Sequence, residues 1–138
     1  TQYWVREVMD RLYTPAPDGY CGDEDNGQTS AWYVFSAMGF YPVCPGSNEY
    51  VIGSPLFNKI NITLENGEVV TIHAADNEAS KRYIADIKLN RESYSKNYFT
   101  HEDLTKGAQI EMTMSDKPNY KRGVQPADFP YSFSNEKR

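Results

Sequence analysis

The densest run of side chains capable of chemistry is Gly22-Asp23-Glu24-Asp25-Asn26-Gly27-Gln28, three consecutive acids set between glycines. Like charges side by side repel, and the start of a following helix can use only one of them as a cap. In an extended stretch alternate side chains share a face, so Asp23 and Asp25 point together and Glu24 points away. Two carboxylates on one face can hold a water, bind a cation or act as a general base. The glycines let backbone come close to a ligand. The plainer reading is a helix cap with spare surface charge, because Asp and Asn are common N-caps. The loop alone leaves both open. A calcium-binding EF-hand fails on counting: with Asp23 first, the sixth position is Gln28 where Gly is required, and the twelfth is Val34 where Glu is required.

Other candidates carry less. His73 and His101 lie far apart with no Cys or acid cluster around them, whereas structural zinc wants four close ligands. His73 reads as a surface residue at a strand end. Trp4 and Trp32 sit in apolar stripes, which favours helix packing over a sugar-stacking platform. Cys21 and Cys44 bracket the acidic run and the helix after it, compatible with one disulfide or with two free thiols.

The elements that must position the acidic run are legible on both sides of it. Residues 2–12 read as a helix with Trp4, Val5, Val8, Met9 and Leu12 on one stripe. The segment Thr14-Pro15-Ala16-Pro17-Asp18-Gly19 breaks it. Gln28 to Met38 reads as a second helix, apolar on most of its circumference and ended by Gly39. From Tyr50 the texture changes to strands. Ile60, Ile62 and Leu64 alternate with polar residues, Asn66-Gly67 makes a hairpin turn, and Val70, Ile72 and Ala74 alternate again. Ala85, Ile87 and Leu89 form a further set, as do Ala108, Ile110, Met112 and Met114. The fold class expected is α+β: two helices followed by a small antiparallel β-sandwich. Past Gly123 the pattern dissolves into a frayed tail.

Composition narrows the function classes. The 138 residues carry a net charge of -5, with a pI near 5.0, which argues against a nucleic-acid groove built on clustered Lys and Arg. The apolar stretches are too short for a membrane span. Aromatic residues make up 14% of the chain; such rings can line sugar sites, but core filling alone explains most of them. A helical pattern beginning directly at Thr1 is what a piece of a longer chain would show.

The run from Gly22 through Trp32-Tyr33, with its continuation Phe35-Ser36-Ala37-Met38-Gly39-Phe40-Tyr41-Pro42-Val43, resembles a signature of the glycoside hydrolase family 92 α-mannosidases. The segment Tyr50-Val51-Ile52-Gly53-Ser54-Pro55-Leu56-Phe57 is similar to the same family, in register to about Gly123. The resemblance implies a calcium-dependent, inverting exo-α-mannosidase acting on N-glycan or mannan branches, with α-1,2 linkages the expected class. It implies export to the periplasm or beyond by Bacteroidetes-type bacteria. It also implies that residues 1–46 are the last helices and motif loop of a catalytic (α/α)6 barrel, 47–123 a β subdomain and 124–138 a tail. The family's general base falls on Asp25, with Asp23 supporting it, and the general acid lies upstream of this segment. No calcium ligand or sugar-binding residue is assigned here. The expected partners are mannose-containing glycans and the rest of the parent polypeptide. Alone the segment is expected to be inactive and to self-associate through its apolar second helix. The rival from another class is a non-catalytic carbohydrate-binding or structural β module. Asp23 and Asp25 both serving only as helix caps would favour that rival.

Overall fold

A computed structural model describes residues 1–136 of the chain. Both helices form where the apolar periodicity puts them, α1 over Gln2–Leu12 and α2 over Gln28–Met38. Tyr13 leaves α1 in an extended conformation, ahead of the two prolines. Gly39 ends α2 at φ 101°, its N–H donating to the carbonyls of Phe35 and Ser36. Only glycine fits there comfortably: a Cβ would sit in the disfavoured left-handed region and 3.2 Å from the Pro55 ring.

Among the described residues eight strands follow: β1 (Phe40–Tyr41), β2 (Glu49–Ile52), β3 (Lys59–Thr63), β4 (Val69–His73), β5 (Tyr83–Leu89), β6 (Glu92–Ser93), β7 (Tyr98–Thr100) and β8 (Ala108–Ser115). A short helix α3, His101–Thr105, stands between β7 and β8, capped by Thr100 and Asp103 in a reciprocal capping box. The strands form two sheets, β1-β2-β7 and β3-β4-β8-β5-β6. One hydrophobic core joins them: Phe40, Ile52 and Phe99 from the small sheet meet Ile72, Ile87 and Ile110 from the large one. Full burial of each such side chain contributes about 1.5–3 kcal/mol.

The chain is α+β, and the structure departs from the sequence expectations in several particulars. The sandwich is not wholly antiparallel, because β4 and β8 pair in parallel, Ile72 opposite Ile110. A register shift between Ile84 and Asp86 lets both Ile84 and Ile87 reach the core, so Ala85 is only half-buried. Trp4 and Leu12 do not pack: they are 69% and 49% exposed. The buried residues of α1 are Met9 and, unexpectedly, Arg6. The end of the chain is tied down at Asp128, which is buried and whose carbonyl accepts from the Asn97 amide at 2.8 Å.

These anchors also lock the helices to the sheets. Position 46 lies between β1 and β2, which are paired strands. The Gly53 amide donates to the Gly39 carbonyl at 2.8 Å, and the Leu56 amide to Ala37 at 2.9 Å. The 53–56 turn therefore grips the C-terminal end of α2, and Arg6 of α1 donates to the Pro55 carbonyl at 2.6 Å.

Candidate functional site: the acidic loop at the start of α2

An α-helix begins with backbone N–H groups that have no partner inside it, and these set the geometry of the acidic loop. The N-cap of α2 is Gly27, which has no side chain to accept from them. The loop supplies the acceptors itself. The Gln28 amide donates to the Asp25 carbonyl at 3.2 Å, and the Thr29 amide to the Glu24 carbonyl at 3.1 Å. The Ser30 amide donates to Glu24 Oε1 at 2.9 Å. The Ser30 hydroxyl also donates to Oε1, and the Gly27 amide donates to Oε2. The Thr29 hydroxyl closes the loop onto the Asp23 carbonyl at 3.0 Å.

The backbone reaches this arrangement through three consecutive left-handed residues, Asp25 (φ 55°), Asn26 (φ 57°) and Gly27 (φ 97°). Asp and Asn are the non-glycine residues that tolerate this region best, and the loop places them there.

Glu24 is thus the capping acid. Its hydrogen bonds from the Ser30 hydroxyl and amide, opposed by desolvation and helped by the Gly27 amide, stabilise the charged form and hold its pKa below the ordinary glutamate value. Asp23 and Asp25 are exposed, and among the described residues nothing donates to either carboxylate. The structure brings both into one loop and uses neither as a cap. Sequence reasoning turned Glu24 away from the pair but gave it no task, and it missed Ser30. The available signal was Gly27: a glycine N-cap demands an acceptor from elsewhere, and Glu24 is within reach.

Aromatic packing fixes the first turns of α2 against the end of α1. The Tyr13 ring stacks on Trp32 at 5.8 Å and lies 4.9 Å from Tyr33. Burial and the neighbouring Cys21 push the Tyr13 phenol up from its ordinary pKa. Trp32 is therefore packing, as its stripe suggested. An open groove of about 680 Å³ runs beside this cluster, lined in part by Tyr13, Tyr20, Ser30 and Tyr33; neither aspartate lines it. Cys21 and Cys44 are unbridged.

The histidines stay outside the site. His73 is exposed at the end of β4, while His101 pairs its Nδ1 with the Tyr50 hydroxyl at 2.9 Å. Calcium requires six to eight oxygen ligands. Among the described residues no three His, Cys, Asp or Glu side chains converge on one point.

With this geometry in place, comparison with known proteins is direct. A family 92 inverting mannosidase of Bacteroides thetaiotaomicron superposes on 96% of the chain with a TM-score of 0.90 and 57% identity. A family 92 α-mannosidase of the same organism, solved with mannoimidazole, gives a TM-score of 0.91 and 40% identity over 96% of the chain. A secreted glycosidase of Arthroderma benhamiae is 31% identical over 117 residues, 83% of the chain. The chain spans only 18%, 17% and 15% of these three proteins respectively. Residues 1–116 match the catalytic domain of glycosyl hydrolase family 92, and the chain belongs to that family.

Proposed function

We propose that the chain forms part of an inverting exo-α-mannosidase and supplies its general base, Asp25, with Asp23 in support. The observation that carries this reading is the division of labour in the loop. Glu24 and the backbone carbonyls meet the needs of the helix start, which leaves both aspartate carboxylates available for chemistry. Similarity to an inverting mannosidase and to a mannosidase solved with mannoimidazole supports an α-mannoside as substrate.

Inversion needs an ionised carboxylate that takes a proton from water while the water oxygen attacks the anomeric carbon. The bond to the leaving oxygen breaks on the opposite face, and a carboxylic acid about 6.5–9.5 Å from the base protonates that oxygen. Asp25 fills the first role. The acid comes from outside these residues; calcium dependence is part of the proposal, with no ligand assigned among these residues. An α-1,2-linked mannobiose from an N-glycan or mannan branch is the first substrate to assay. Export follows the secreted relative.

The test is Asp25→Asn in the full-length enzyme, assayed on an aryl α-mannoside activated enough to need little acid assistance. The amide is isosteric but cannot accept the proton, so kcat should fall about 10²–10⁴-fold with thermal stability unchanged. A variant keeping more than about a tenth of the wild-type rate rules Asp25 out as the base. A full-length protein that binds mannan yet hydrolyses no mannoside would favour a carbohydrate-binding module.

A further inference from the structure

We infer that Glu24 and Ser30 form a positioning pair that fixes where the Asp25 carboxylate sits, an inference that rests on Asp25 being the base. Glu24 precedes Asp25 directly, and its carboxylate takes three hydrogen bonds from the far side of the turn: the Gly27 amide, the Ser30 amide and the Ser30 hydroxyl. The segment so closed contains the three left-handed residues. That conformation is costly for Asp25 and Asn26, and it persists only if the surroundings enforce it. Backbone bonds from Gln28 and Thr29 to the carbonyls of Asp25 and Glu24 supply part of the enforcement. The Glu24 carboxylate is a side-chain acceptor that bridges the turn from Gly27 to Ser30.

Ser30 lies inside α2, whose far end is gripped by the 53–56 turn through Gly39 and Ala37. The position of Asp25 is therefore referred, through Glu24 and Ser30, to a helix fixed against the β sheets. Without the pair, Asp25 stays in the loop but samples several backbone states. Misplacing a reacting group by about 1 Å is enough to cost roughly 10²-fold in rate. Glu24 touches no reacting atom in this arrangement; it acts through Asp25.

The test compares four variants of the full-length enzyme with Asp25→Asn on an aryl α-mannoside. Glu24→Ala should lower kcat about 10–100-fold with KM within about twofold, since substrate contacts made elsewhere are untouched. Glu24→Gln keeps Oε1 as an acceptor for Ser30 but turns an N–H toward the Gly27 amide, so it should recover part of that loss, with an unshifted pH profile. Ser30→Ala should reproduce a smaller part of the kcat defect, and Ser30→Thr should restore it. The Ser30 pair gives the answer if Glu24→Ala fails to fold. Wild-type kcat in Glu24→Ala and Ser30→Ala, beside an inactive Asp25→Asn, would overturn the positioning role and leave the base intact. Glu24→Gln as inactive as Glu24→Ala would overturn it differently, by showing that the Glu24 charge itself takes part. An active Asp25→Asn would instead remove the base, and the positioning role with it.

Discussion

The Arg6 guanidinium donates to the Asn77 amide oxygen at 2.9 Å, joining α1 to a loop 71 positions away. Both residues are buried, and the Asn77 amide donates onward to the Pro55 carbonyl at 3.0 Å. Burial lowers the Arg6 pKa, partly opposed by Asp10. Among the described residues Arg6 has no carboxylate within salt-bridge distance; its neighbour Glu7 takes Arg11 and Arg82 instead. The guanidinium is thus held mainly by neutral acceptors, and it fixes α1 to the turn that also grips α2.

Removing Arg6 should therefore loosen the joint between helices and sheets. Arg6→Ala leaves the buried Asn77 oxygen without its partner, at an expected cost of about 1–3 kcal/mol in chemical denaturation. A double-mutant cycle with Asn77→Ala should give a coupling of about 0.5–3 kcal/mol. Strict additivity would show that the two side chains act independently.

The 138-residue chain alone should hydrolyse no α-mannoside. On the proposed reading it offers a base without an acid, and the loss of either member costs orders of magnitude. Turnover of an aryl α-mannoside by the purified chain, free of contaminating enzyme, would show that it contains a complete site.

The same isolated chain should self-associate. Trp4, Leu12, Val34 and Val43 are 69%, 49%, 55% and 61% exposed, all on or beside the two helices. Each large apolar side chain left in water forgoes roughly 1.5–3 kcal/mol, and a second copy is an accessible cover. Sedimentation velocity should detect dimers or larger species, and Trp4→Glu with Val34→Glu should shift them to monomer. A wild-type monomer at high concentration would mean that these side chains drive no association.

Stability should carry an acid limb from Asp128. Its carboxylate accepts from the Ser95 hydroxyl and from the Gln125 amide, and these bonds, led by Ser95, hold its pKa below the ordinary aspartate value. Because the folded value is depressed, this contribution is complete above the unfolded aspartate pKa of about 3.9 and disappears as pH falls through the folded value. Asp128→Asn should lower the thermal midpoint at pH 7 and give a flatter decline below pH 4. Parallel curves for the two proteins would assign the acid limb to other carboxylates.

Local periodicity sufficed for the elements whose residues all answer to one neighbour. Ala108, Ile110, Met112 and Met114 alternate strictly, and all four are buried because that one face of β8 lies on the core shared with the small sheet along its whole length. The helices, their Gly39 stop and the acidic loop between them were likewise legible, since caps and breakers act within a few residues. The acidic signature was long enough to indicate the family.

Long-range pairing decided the rest. The pattern of β4 and β8 is the same for parallel and antiparallel partners, so only the path of the chain between them set their direction. Nothing in the stripe of α1 shows that Trp4 faces outward while Arg6 turns inward, because the Arg6 acceptors, Pro55 and Asn77, belong to distant loops. In the acidic run, alternation set Glu24 apart from Asp23 and Asp25 but gave it no partner. The left-handed turn at Asp25 and Asn26 carries Glu24 back onto α2, which assigns it the cap and leaves the two aspartates free.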